Sequence, residues 1–143
     1  MKKILIICLS IILFLTSTPI VGHAQDNVPT PRLNNVMNTI QQFSIDSTGE
    51  ATVLADYSGY YGDLVSATIK IKIQKRFLGV FWSTVDIGEP ENTWVYYSTS
   101  VEDTFIKTFQ LEDKGTYRAV FNYTFVGVNA NDEIEDTMTD TYE

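Results

Sequence analysis

The amino-acid sequence predicts an all-β protein, an antiparallel β-sandwich of about seven strands. Three observations carry this expectation. Residues Ala67 to Gln74 alternate strictly, with Ile69, Ile71 and Ile73 on one face and Lys70, Lys72 and Gln74 on the other. That period belongs to a strand with one face on a core and one in water. Turn residues recur roughly every 8–12 positions. No stretch shows the strand–helix–strand rhythm of a parallel sheet.

The elements follow in order. Lys2 and Lys3 precede an apolar run, Ile4 to Leu15, broken only by Ser10. Gly22-His23-Ala24 then offers small residues at −3 and −1 of a cleavage site. This is the layout of a secretory signal peptide over residues 1–24, cleaved after Ala24. The rival is an uncleaved anchor, which needs about 20 apolar residues. Residues 25–32, with Pro29 and Pro31, read as a flexible leader, and 33–143 as the sandwich domain. Leu33, Val36, Met37 and Ile40 have helical spacing, but the Asn- and Gln-rich setting and Phe43-Ser44-Ile45 favour an extended first strand ending near Asp46. Further strands are expected at 51–57, 67–74, 80–87, 93–98, 104–111, 116–128 and 134–142. The glycine-containing loop at 58–63, the Pro90 loop at 88–92 and the turns at 47–50, 112–115 and 129–133 separate them. Acidic residues near the end, Asp132, Glu133, Glu135, Asp136, Asp140 and Glu143, are expected to charge the outer face of the last strand.

Composition excludes several kinds of chemistry. Of 143 residues, the only Cys and the only His lie in the first 24, with two lysines and no acid. The remaining 119 residues hold 8 basic and 18 acidic groups, a charge of −10. A chain without Cys or His forms no disulfide, no Cys/His metal site and no histidine-based nucleophile pair. Its charge argues against nucleic acid, whose phosphates need clustered Lys and Arg. No cofactor is expected.

Three groups of residues are candidates for function. Tyr60 and Tyr61, on the glycine-containing loop, and Trp94, Tyr96 and Tyr97, after the Pro90 loop, are the expected binding residues. Exposed rings stack on sugars and anchor protein partners. With 17 aromatic residues after Ala24, many must fill the core, and capping the sandwich ends is the competing role. The stretch Asn129, Asn131, Asp132, Glu133, Glu135, Asp136 offers oxygen ligands but lacks the spacing of a calcium loop, so no metal site is assigned. Glu89 with Glu91, or Glu112 with Asp113, are the carboxylate pairs a glycoside hydrolase would need. Lys70, Lys72, Lys75 and Arg76 form a basic stripe. Its simplest role is to solubilise an outward face and blunt an edge strand. Contact with teichoic acid or anionic lipid head groups is the other reading.

Asp113-Lys114-Gly115-Thr116-Tyr117-Arg118-Ala119 resembles the D-x-G-x-Y-x-C signature of immunoglobulin-type sandwiches, with Ala119 in place of the cysteine. The resemblance implies an Ig-like topology in which the Tyr117 hydroxyl bonds backbone a few residues upstream. It also places Trp82 as the core tryptophan. The whole layout resembles a family of small secreted proteins of Gram-positive bacteria. The shared features are the signal peptide, Gly49-x-Ala51-Thr52-Val53, the alternating strand ending Gln74-Lys75, Gly79-x-x-Trp82 and Gly115-x-Tyr117-Arg118. That resemblance implies fold and address and brings no activity and no catalytic residues.

The expectation is therefore a secreted, monomeric, non-catalytic binding module, in the extracellular medium or associated with the cell wall. Its partner would be a cell-wall glycan or a protein, with no nucleic acid and no membrane insertion of the mature chain. A small carboxylate-dependent extracellular hydrolase is the alternative.

Overall fold

The computed structural model describes residues 33–143; the expected signal peptide, its cleavage site and the leader lie outside them. Eight strands run in order: β1 (Val36–Ile45), β2 (Glu50–Gly59), β3 (Leu64–Phe77), β4 (Phe81–Thr84), β5 (Trp94–Ser98), β6 (Glu102–Gln110), β7 (Gly115–Gly127) and β8 (Asn131–Tyr142). They form two antiparallel sheets packed face to face, β1-β2-β6 and β4-β3-β7-β8, with β5 added beside β3. The expected strand at 80–87 is short, ending at Thr84.

Alternation builds the core. Ile69, Ile71 and Ile73 of β3 stand opposite Tyr123, Phe121 and Ala119 of β7, and all six are buried. Ala51, Val53, Ala55 and Tyr57 line the facing side of β2. The Tyr57 and Phe125 rings meet across the sheets at 5.4 Å, and Tyr123 stacks on Phe125 at 5.6 Å. Both distances suit favourable aromatic packing. The Tyr117 hydroxyl donates to the Asp113 carbonyl at 2.6 Å, four residues upstream, as the resemblance implied.

Three expectations are corrected. Strand β3 is not an edge: β7 occupies one side, and β5 and β4 share the other, at Ala67–Ile71 and Gln74–Phe77. Lys70 and Lys72 therefore blunt no edge. Trp82 is not the core tryptophan, because β4 carries it on the side of the sheet away from the core. The buried one is Trp94, 6 % exposed, packed edge-on against Phe109 at 6.2 Å. The last strand does not send all its acids outward. Asp132, Asp136 and Asp140 share the parity of Ile134 and Met138 and turn inward, while Glu133 and Glu135 face solvent. From there Asp132 accepts the backbone N–H groups of Asn34 and Asn35, and Asp140 accepts that of Ile45 at 2.7 Å. Sheet edge β8 is thus tied to sheet edge β1 by carboxylates, and inward charge of this kind also discourages strand addition.

Candidate functional site

The five expected binding residues separate into four settings. Trp94 lies in the core. Tyr96 turns inward, packs its ring at a tilt against Phe105 at 5.0 Å and donates its hydroxyl to Asp103 Oδ2 at 2.7 Å. Ser98 donates to the same oxygen at 2.7 Å. The two bonds, Ser98 first, hold the Asp103 carboxyl below its usual range. Tyr96 therefore braces the β5–β6 turn. Tyr60 and Tyr61 remain outside, Tyr61 94 % exposed, and with Met37 and Val101 they line a groove of about 690 Å³ at one end of the sandwich. Tyr97 is exposed on the solvent face of the five-stranded sheet.

That face holds the charge anomaly. Period 2 sends Thr68, Lys70, Lys72, Gln74 and Arg76 of β3 outward, and Arg118, Val120, Asn122 and Thr124 of β7 beside them. Tyr97 stands opposite Thr68, Val95 opposite Lys70, and Trp82 opposite Arg76. From the Tyr97 row to the Trp82 row is eight residues of β3, a track of roughly 26 Å. Along it stand Lys70, Lys72, Arg76 and Arg118, four of the seven basic residues between 33 and 143. Among the described residues the one ion pair is Lys75–Asp113, at 3.0 Å. The four cations therefore stand without a carboxylate partner there. Lys75 itself has the opposite parity and leaves the stripe.

Arg118 is the most constrained of the four. Its Nε donates to Gln74 Oε1 at 2.7 Å, and its guanidinium lies 4.4 Å from the Trp82 ring centroid. A stacked, oriented guanidinium presents its remaining N–H groups as a fork suited to phosphate or carboxylate. Beside Lys70, a shallow groove of about 460 Å³ is lined by Asn122, Thr124, Glu133 and Glu135. The Asn and Thr side chains supply neutral hydrogen bonds of the kind a sugar hydroxyl needs. The two glutamates confine the anion-favouring region to the Lys72, Arg76 and Arg118 end.

Nothing local in the sequence marks Arg118 as a binding residue, and the Ig-type resemblance assigns Trp82 to the core. Their parity was the available signal, and it becomes readable once the pairing Gln74↔Arg118 and Arg76↔Trp82 is known. The acids of the other candidate sites are dispersed. Asp132 is engaged by Asn34 and Asn35, and among the described residues no three acidic side chains gather to hold a metal ion. Glu89 precedes the 3₁₀ turn Pro90–Asn92 and Glu91 is its middle residue, both on the surface. Glu112 and Asp113 line a groove of about 550 Å³ together with Asp86, and Asp113 is held by Lys75. The chain matches no family model, no curated protein and no solved structure.

Proposed function

We propose that the chain is a secreted, non-catalytic binding module of Ig-like topology. Its ligand is an anionic cell-envelope polymer, a glycan carrying phosphate or carboxylate groups, laid along the outer face of the five-stranded sheet. The Ig-like assignment draws on the order β1-β2-β6 against β4-β3-β7-β8 and on the Tyr117 corner. The observation that carries the ligand is the Arg118 guanidinium stacked on Trp82 amid three further cations without carboxylate partners, in a protein of strongly acidic charge. Surplus acid elsewhere keeps such a molecule from binding polyanions at random, so a local positive face gives orientation and selectivity. Aromatic rings at both ends of the track suit sugar faces.

The test is cosedimentation of residues 25–143 with bacterial cell walls, before and after removal of their anionic polymer. Pelleting that depends on the polymer and is lost in Arg118→Ala supports this reading. Pelleting untouched by polymer removal overturns it. The hydrolase alternative would use the groove at Glu112 and Asp113. Turnover of wall glycan that vanishes in Glu112→Gln would replace the binding reading.

A further inference from the structure

The β3–β4 hairpin carries an apolar tip that the sheet-face reading does not use. Phe77, Leu78, Val80 and Phe81 are each between 61 % and 74 % exposed, and only Gly79 interrupts them. Phe77 and Phe81 pair directly across the hairpin. They have core-facing parity but lie beyond the last core layer, so the sandwich does not cover them. At the apex Leu78 and Gly79 both adopt positive φ, +50° and +72°. Glycine takes that conformation freely, whereas leucine is strained in it. The turn thus places a costly conformation and a bare leucine at the same point, a pairing that folding alone does not favour.

The side chains behind the tip are layered. Trp82 follows Phe81 directly, with Arg118 stacked on it and the exposed Arg76 opposite. Lys75 and Lys114 are at the same end of the sandwich. Glu112 and Asp113 are there too, with Asp113 neutralised by Lys75 at 3.0 Å. An apolar apex backed by tryptophan and cations matches the sequence of environments from acyl chain to head group in an anionic bilayer.

We propose that the Phe77–Phe81 hairpin is a lipid-insertion tip that docks the protein on anionic membranes, with Arg76 and Trp82 at head-group level. Area favours this occupant over a protein. The tip exposes on the order of 500 Å² of apolar side chain, while a stable protein interface takes about 800 Å² from each partner. A convex hairpin inserts into lipid without needing a matching surface. The proposal departs from the expectation that the mature chain enters no membrane. Among the described residues no helix is long and apolar enough to cross a bilayer, and a hairpin tip reaches the acyl chains without one.

The chain's two tryptophans make the test local. The full chain is mixed with vesicles of phosphatidylcholine and phosphatidylglycerol with brominated acyl chains, and tryptophan emission is followed. Trp82 should be quenched, and the quenching should disappear in Trp82→Phe. The double variant Leu78→Asp, Val80→Asp should bind vesicles at least about tenfold more weakly. Both positions are exposed, so the fold is kept, and the emission of buried Trp94 reports on it. Any N-terminal contribution to binding is common to every variant. Quenching that survives the double variant or Trp82→Phe overturns the proposal. So does equal quenching by phosphatidylcholine alone, or a dimer in lipid-free solution that Leu78→Asp returns to monomer. These vesicles hold no wall polymer, so failure here leaves the sheet-face reading standing.

Discussion

The Asp132 carboxylate accepts the backbone N–H of Asn35 at 2.7 Å and so fastens the start of the first strand to the last one, 97 residues away. The same carboxylate also accepts the N–H and side-chain amide of Asn34. Burial alone would push its pKa up, but the backbone and side-chain bonds from Asn34 and Asn35 outweigh burial and hold it below the usual range. We expect Asp132→Asn to lower stability by about 2–3 kcal/mol at neutral pH, since buried donors lose a charged acceptor. The folded pKa is depressed. The contribution is therefore complete above the unfolded carboxyl value, near 4, and lost as pH falls through the lower folded value. Urea midpoints of the two proteins should differ at pH 7 and converge toward pH 2. A gap unchanged at low pH would assign the effect to packing.

Tyr117 and Tyr123 both point inward from β7, with Ala119 and Phe121 between them on that face, and they differ in their hydroxyls. The Tyr117 hydroxyl bonds the Asp113 carbonyl at 2.6 Å. That of Tyr123 is buried with no hydrogen-bond partner among the described residues. Its neighbour Gln41 donates its side-chain amide to Thr39 Oγ1 at 2.9 Å instead, and burial pushes the phenol above the ordinary tyrosine value. Tyr117→Phe should therefore cost about 1 kcal/mol. Tyr123→Phe should be neutral or stabilising, because it removes a polar atom that folding strips of water. Equal losses in chemical denaturation would contradict this difference.

The two tryptophans separate core from surface. Trp94→Ala should destabilise by about 3–5 kcal/mol, as expected for a buried ring replaced by a cavity. Trp82→Ala removes a ring on the solvent side and should cost no more than about 1 kcal/mol. Thermal unfolding of both variants decides it, and a Trp82→Ala loss as large as that of Trp94→Ala would place Trp82 within the packing.

Periodicity made the sandwich legible. Ile69-x-Ile71-x-Ile73 and Tyr117 through Phe125 each declare an inward face within a single strand, and Asp113–Tyr117 declares the corner. What local pattern cannot carry is which strands are neighbours. The stripe on β3 resembles an edge device because nothing in Lys70-x-Lys72 shows that β5 and β4 pair with that side at Ala67–Ile71 and Gln74–Phe77. Arg118 looked like one polar position among core aromatics until pairing set it beside Gln74 and over Trp82. Asp132 read as turn or surface because its partners, Asn34 and Asn35, are at the far end of the chain. In each case the deciding contact is long-range. Trp94-Val95-Tyr96-Tyr97 illustrates the complementary success: alternation requires one of Tyr96 and Tyr97 to face out, and Tyr97 does.

Charge and geometry on the sheet face can be pulled apart by two substitutions. Arg118→Lys keeps the positive charge but loses the planar fork, the Gln74 bond and much of the stack on Trp82. Lys72→Gln removes a charge and leaves that geometry alone. Lys72→Gln should change stability by no more than about 0.5 kcal/mol, and Arg118→Lys should cost about 1 kcal/mol for the hydrogen bond and ring contact it gives up. Binding to a phosphate-bearing wall polymer should weaken about tenfold in Arg118→Lys, the loss expected for an oriented charged hydrogen bond, with the salt dependence unchanged. In Lys72→Gln the affinity at physiological salt should fall less, but the slope of log affinity against log salt should become shallower, because one fewer counterion is released on binding. If both variants flatten the slope and neither shows a geometric loss, the face acts through net charge alone, and Trp82 and Gln74 have no part in orienting the ligand.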